Sequence, residues 1–412
     1  MKDSGIEWIG EIPEGWELIK AKYLFSQRNE KGNSTLVLLS PTQKYGVIPQ
    51  SQLEGVVQVK ETTDLRAFKT IHIGDFVISL RSFQGGFEFS NYEGVCSPAY
   101  QVFHATKDLS NDFFRYLFKS DGFISKINSL TVGIREGKNI QYWDFSNMLL
   151  AVPPKEIQIR SAQYLNAKCT EIDTMLSKTR SSIEEYKKLK QAIITQAVTK
   201  GVRGEQKMKD SGVEWIGTYP SNWKIIKIKW LLHERKDRSV TGLEEPLSMS
   251  QKKGLIPTKD MDSIPNMASS FIGAKLVYKG DLVFNKLKAH LGVFSVSKYN
   301  GLVSPDYAVY YSTGPANLNF LELLFKTPQY INEFKKKSSG VGAGLTRLYT
   351  GDLYSIYCAL PPLVEQEEIA DYLDIKCTEI DRLIAKKEQL VKELESYKKS
   401  LIYEVVTGKR EV

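Results

Sequence analysis

The chain has 412 residues, a quarter of them charged and 42% hydrophobic, which suits two or three globular domains and excludes a disordered or fibrous class. A net charge of +8 and a pI near 8.9 favour a polyanionic partner without naming one. Four cysteines without C-x-x-C spacing fit a reduced compartment better than a disulfide framework. With no signal-peptide pattern and no apolar run near the roughly 18 residues that span a bilayer, a cytoplasmic protein with no membrane partner is expected.

The opening letters, Met1-Lys-Asp-Ser-Gly-Ile-Glu-Trp-Ile-Gly10, return as Met208-Lys-Asp-Ser-Gly-Val-Glu-Trp-Ile-Gly217. The match runs on through Pro13/Pro220, Trp16/Trp223, Lys20/Lys227 and Leu24/Leu231. It reaches Val152-Pro153-Pro154 against Leu360-Pro361-Pro362, so the chain reads as two copies of one module. Within each module a turn leads into an apolar strand at Gly74-Asp75-Phe-Val-Ile and Gly280-Asp281-Leu-Val-Phe. The pattern recurs at Gly94-Val-Cys-Ser-Pro-Ala-Tyr100 and Gly301-Leu-Val-Ser-Pro-Asp-Tyr307. Asp75 and Asp281, at turns, are expected to bond the backbone. A helix is expected over residues 111–130, with 318–337 as its counterpart, which makes each half mixed α+β.

The proline pairs end each half at the edge of a long helix, expected over residues 157–199 and 365–406 and ~65 Å in length. In the first, Leu165, Cys169, Ile172, Leu176, Thr179, Ile183, Tyr186, Lys190, Ile193 and Ala197 step by four and three. The second gives Leu373, Cys377, Ile380, Ile384, Lys387, Val391, Leu394, Lys398, Leu401 and Val405. Each is a heptad seam, and both carry the letters Lys-Cys-Thr-Glu-Ile-Asp, at 168–173 and 376–381. The pairing residues expected on these seams are Leu165, Ile172, Leu176, Ile183, Ile193, Leu373, Ile380, Ile384, Val391, Leu394 and Leu401. A duplicated module favours a pseudo-twofold arrangement, so the expected fold is an antiparallel coiled coil carrying one α+β domain at each end. Homo-oligomer formation through the same seams is the alternative.

The pattern Pro361-Pro362-Leu363…Gln366…Ile369…Leu373…Ile380-Asp381, with its first copy, resembles the specificity subunit of type I restriction–modification systems. So does the opening Ser-Gly-Ile-Glu-Trp-Ile-Gly-x-Ile-Pro-x-x-Trp of residues 4–16, and the likeness spans essentially the whole chain. The first copy departs from the pattern at Lys155 and at Ile157, where the second copy has Glu365. The resemblance implies two target-recognition domains, each reading half of a split, asymmetric double-stranded DNA site. They would span residues 1–154 and 208–362, with spacer helices and linker over 155–207 and 363–412. It implies docking of two methyltransferase subunits on the helices and of restriction/translocase subunits on the assembled complex. S-adenosylmethionine would be held by the methyltransferase, ATP and Mg by the endonuclease, and no cofactor or metal by this chain.

The residues themselves give no sign of catalysis. There is no Asn-Pro-Pro-Tyr or Asp-Pro-Pro-Tyr motif and no phosphate loop. Gly340-Val-Gly-Ala-Gly344 lacks the spacing of a dinucleotide fingerprint, and His72, His104, His233 and His290 form no ligand pattern. Sequence reading needs Arg, Lys, Gln or Asn at base edges, so the candidates lie in loops that diverge between matched flanks. In the first half these are Gln43, Lys44, Arg81, Ser82, Gln84, Arg135, Lys138 and Asn139. In the second they are Gln251, Lys252, Lys253, Asn285, Lys286, Lys288, His290 and Arg347. The competing readings are solvated loops, a fused modification enzyme with degenerate motifs, and a coiled-coil adaptor that binds only proteins.

Overall fold

The computed structural model describes residues 1–32, 36–53, 65–79, 86–130, 140–250, 253–263, 270–340 and 346–412. The chain divides into two compact units, one formed by Met1–Arg180 with Glu388–Val412, the other by Ser181–Lys387. Both repeat one architecture. In the first unit an antiparallel sheet runs in the order Phe25–Arg28, Gln101–Ala105, Phe76–Ile78, Phe87–Phe89. In the second the same order is Leu232–Glu234, Tyr307–Ser312, Leu282–Asn285, Phe294–Val296.

Phe76, Val77 and Ile78, like Leu282, Val283 and Phe284, are apolar at every step because both faces of the sheet are covered. Phe76 and Ile78 point into one core while Val77 points into a second with Leu39, Val47, Ile71 and Val102. Leu282 and Phe284 against Val283 repeat that division. The larger core of the first unit is a phenylalanine cluster in which Phe76 and Phe103 stack at 5.3 Å; Phe284 and Phe294 stack at 4.4 Å in the second.

The single helix expected over residues 111–130 is two helices, α1 (Asn111–Leu117) and α2 (Asp121–Leu130), followed by α3 (Tyr142–Ser146) and then the long α4 (Lys155–Lys200). Its counterpart is likewise split into α5 (Leu318–Phe325) and α6 (Pro328–Lys337), followed by α7 (Thr350–Ser355) and the long α8 (Leu363–Val406). The break has one cause at equivalent positions. The hydroxyls of Ser120 and Thr327 donate back to the carbonyls of Leu117 and Leu324, each at 2.7 Å, in place of a continuing turn. Pro328 then fits the first turn of α6, where its missing N–H costs nothing.

The long helices begin two residues earlier than the heptads alone indicate, each directly after its proline pair. Buried Gln158 and Gln366 fasten those starts. Gln158 donates Nε2 to the Pro153 carbonyl at 2.9 Å and accepts the Ser110 N–H at 2.8 Å. Gln366 donates to the Pro361 carbonyl at 2.9 Å and accepts the Asn317 N–H at 2.8 Å. Ser110 and Asn317 are the N-caps of α1 and α5, so each glutamine ties a helix of its α+β half to a long helix.

Within each unit α4 and α8 run antiparallel. In the first unit Asp173 pairs with Lys398 at 2.6 Å and Arg180 with Glu395, so α8 numbering falls as α4 numbering rises. In the second, Lys387 lies 5.7 Å from the Tyr186 ring, Lys190 pairs with Asp381 at 2.6 Å and Arg203 with Glu368 at 2.6 Å. The seam positions Leu165, Ile172, Leu176, Ile183, Leu373, Ile380 and Leu401 are buried; Ile193, Ile384, Val391 and Leu394 are half-buried. The end of α8 supplies Leu401, Ile402, Val405 and Val406 to the first unit's core. Ala197 and Val198 from the end of α4 join the core of the second. Gly201 has φ 78° and Gly408 φ 72°, and an added Cβ would lie 2.4 Å from Pro13 at Gly408 and 2.9 Å from Glu365 at Gly201. Glycine is required at both ends.

The two starts differ at one step. Glu365, fully buried, accepts the Trp223 indole N–H at 3.1 Å, Asn222 at 3.0 Å and Gln206 at 3.2 Å. Ile157 holds the equivalent step in the first unit and packs against the apolar core that includes Trp16.

Candidate nucleic-acid interface

Each α+β half is stiffened at the same two points by charged groups. Arg28 donates Nε and Nη2 to Asp75 at 2.8 and 3.2 Å, and Arg235 does so to Asp281 at 2.7 and 2.8 Å. The same carboxylates accept the backbone N–H groups of His72 and Tyr278, each at 2.9 Å, so these aspartates bond the turn and hold an arginine as well. The hydrogen bond to Asp281 raises the pKa of Arg235 further above its ordinary value, keeping it charged. Second, Lys69 and Lys275 donate Nζ to the carbonyls of Tyr100 and Tyr307, at 2.7 and 2.8 Å. These lysine anchors bind Tyr100, just before the strand Gln101–Ala105, and Tyr307, the first residue of Tyr307–Ser312. Sequence reading did not single out the arginines and lysines, although Arg28/Arg235 and Lys69/Lys275 fall at the repeat spacing.

The candidate readers fall into three groups. Arg81, Ser82, Gln84, Arg135, Lys138, Asn139, Gln251 and Lys252 lie outside the described residues. Gln43 and Lys44 occupy the tip of the hairpin Leu39–Thr42/Gly46–Pro49, where Lys44 lies 4.9 Å from the exposed Tyr45 ring. Lys253 holds the matching tip of Leu247–Ser250/Gly254–Pro257 and pairs with Asp262 at 2.8 Å. Each tip borders an open cleft, of about 440 Å³ in the first unit and 470 Å³ in the second. The first cleft is walled by Glu88 and Lys119 at 2.6 Å, and burial pushes the Glu88 carboxyl above its ordinary range despite that lysine.

The third group is brought together at the end of the strand Leu282–Asn285. Asn285 accepts the Leu287 N–H at 3.1 Å, and the carbonyl of Lys286 accepts the Leu348 N–H at 3.0 Å, which docks the hairpin Ser339–Gly340/Thr346–Arg347 onto this turn. Arg347 therefore sits beside Asn285 and Lys286. Lys288 is exposed on the following turn, and His290 is half-buried with its Nδ1 enclosed and unpartnered among the described residues.

The remaining chemistry is quiet. Burial pushes the thiols of Cys96 and Cys358 up to about 12, which leaves them protonated and inert. Among the described residues no three metal-ligating side chains gather, and no helix is long and apolar enough to cross a membrane.

No family model matches the chain. The putative type I restriction enzyme MjaX specificity subunit of Methanocaldococcus jannaschii is 24% identical over 435 residues, covering 97% of this chain and 95% of that one. The MjaVIII specificity subunit of the same organism is 21% identical over 433 residues, covering 97% and 93%. The chain is a relative of the type I specificity subunits. The fold agrees: the HsdS subunit from Thermoanaerobacter tengcongensis matches with a TM-score of 0.56 at 17% identity over the whole of both chains. A chain from a structure on complex assembly and conformational transition of the type I R-M system matches with a TM-score of 0.71 at 16% identity, over 97% of this chain and all of that one. Two α+β halves and two long helices make up this chain.

Proposed function

We propose that this chain is the DNA-reading subunit of a type I restriction–modification assembly. Each α+β half reads one part of a split, asymmetric site, while α4 and α8 hold two methyltransferase subunits and set the gap. The observation that carries this reading is duplication with selective divergence. The anchors Arg28–Asp75/Arg235–Asp281 and Lys69/Lys275 are kept in both halves, whereas the letters after the central strand differ, Arg81-Ser-Phe-Gln-Gly-Gly86 against Lys286-Leu-Lys-Ala-His-Leu-Gly292. Two identical readers would suit a palindrome; two different readers on one scaffold suit unlike half-sites. The net charge of +8 supports a polyanionic ligand.

In this reading the chain directs chemistry without performing it. S-adenosylmethionine belongs to the methyltransferase partner, and ATP and Mg to the translocating endonuclease. The test is to map methylated adenines in cells that express the chain with its neighbouring methyltransferase. A bipartite, asymmetric motif with a fixed gap is expected, and a methylation pattern independent of this chain would refute the reading. DNA binding by the complex should fall steeply with salt as counterions are released.

A further inference from the structure

The two units differ in charge at a place where their scaffolds coincide. Gln27 and Glu234 stand at equivalent steps of the first sheet strand, opposite Phe103 and Tyr310. In the first unit Gln27 donates to Gln101 at 2.5 Å, a neutral amide pair at the strand end. In the second unit Ala308 stands where Gln101 would be, and Glu234 instead accepts Thr350 Oγ1 at 2.6 Å and Lys275 Nζ at 3.1 Å. Beside this group, Arg347 donates Nη2 to Asp306 at 2.5 Å; Ala99 holds the place of Asp306 in the first unit.

Three cations, Lys275, Lys286 and Arg347, thus meet two carboxylates, Glu234 and Asp306. Burial, followed by repulsion from Lys275 and Arg347, pushes the pKa of Lys286 down, although Glu234 and Asp306 oppose the shift. Arg347 is held on several sides: its Nε is enclosed without an acceptor among the described residues, and its guanidinium lies 6.0 Å from the Tyr349 ring. Among the described residues Asp306 accepts from Nη2 at the outer edge and Nη1 has no acceptor, which leaves Nη1 and the second hydrogen of Nη2 to reach a base. A carboxylate at that edge repels a phosphate but tolerates the neutral acceptors of a base. A planar guanidinium fork matches O6 and N7 of guanine in the major groove.

We propose that Arg347 is the guanine-reading residue of the second unit and that Asp306 is the positioning residue that orients its fork. The assignment rests on the DNA-reading function proposed above. The Asp306–Arg347 pair belongs to the second unit alone at this step, since Ala99 holds the place of Asp306 in the first, so the two half-sites would differ in chemistry as well as in order.

The experiment uses the full chain with its methyltransferase partner and duplex libraries randomised through the half-sites found for the wild-type chain. Arg347→Ala should lower discrimination at one guanine of one half-site roughly tenfold or more, leaving the other half-site intact. Arg347→Lys, which keeps the charge and loses the fork, should do the same if Arg347→Ala folds poorly. Asp306→Ala should relax that same position, Asp306→Glu should restore it in part, and the double variant should be no worse than Arg347→Ala alone. A purely structural role for Asp306 would weaken both half-sites and add to the Arg347 effect. Equal loss on all sequences, with a shallower salt dependence, would make Arg347 a phosphate contact and overturn the assignment. Unchanged discrimination would overturn it too, with the DNA-reading function left standing. A wild-type complex with no split-site preference would remove the function and the assignment together.

Discussion

At the scale of the residue, a few buried polar groups specify each α+β half. Asp281 is bonded twice by Arg235 and once by the Tyr278 N–H, so removing it strands a half-buried guanidinium. Asp281→Ala should cost about 3 kcal/mol in the second unit, read as a lower unfolding midpoint, while Asp281→Asn should cost less. Glu88 works in the opposite direction. Its folded pKa is raised, chiefly by burial, so the native state holds a proton that the unfolded chain releases above the ordinary value of 4.5. Stability from this group is therefore full at low pH and falls as pH rises through the folded pKa. Wild type and Glu88→Gln should diverge across that window in pH-resolved thermal unfolding, with the glutamine variant losing less. Parallel curves would show that Glu88 does not titrate differently in the two states.

At the scale of the element, the seam was legible because heptads are local and repeated; the groups that register it were not. Lys190 and Lys398 looked like polar interruptions of an apolar stripe. Each reaches the aspartate that ends the six-letter repeat on the opposite helix, Asp381 and Asp173, at about 200 residues' separation. The repeat spacing carries that information only once an antiparallel pairing is assumed. Lys398→Asp should place two aspartates together, and Asp173→Lys in the same chain should recover the loss. The single change should cost no more than ~1 kcal/mol because both groups are partly exposed. A double-mutant cycle with no coupling would show that the pair does not contribute to register. The broken helices carry a similar lesson. Apolar letters resume after Lys119-Ser120-Asp121-Gly122, and the Ser120 hydroxyl bonding back to the Leu117 carbonyl marks where the first helix ends.

At the scale of the whole molecule, duplication told most about the fold, since matched letters gave two α+β halves and two long helices. It told least about recognition. The proposed reading residues were sought where the copies differ, so the repeat marks their neighbourhood but cannot select among them. Arg347 emerged from a contact with Asp306 that no local spacing encodes. If the helices set the gap, deleting residues 178–184 from α4 and 386–392 from α8 removes one heptad from each and keeps both lysine–aspartate pairs. Seven residues at 1.5 Å each are about 10 Å, so the methylated motif should shorten its gap by about 3 base pairs. An unchanged gap in a folded, active complex would refute the ruler.

The first unit is closed by the chain's late residues, Leu401, Ile402, Val405 and Val406. On the ribosome its apolar bed, including Leu165 and Leu176, is made more than 200 residues before the segment that covers it. The second unit occupies one continuous stretch, residues 181–387, and has all its parts earlier. At roughly 5–20 residues per second the uncovered interval lasts on the order of 10–50 seconds. Nascent chains should therefore mature in reverse of the order in which they are made, with the first half dependent on chaperones until synthesis reaches α8's final turns.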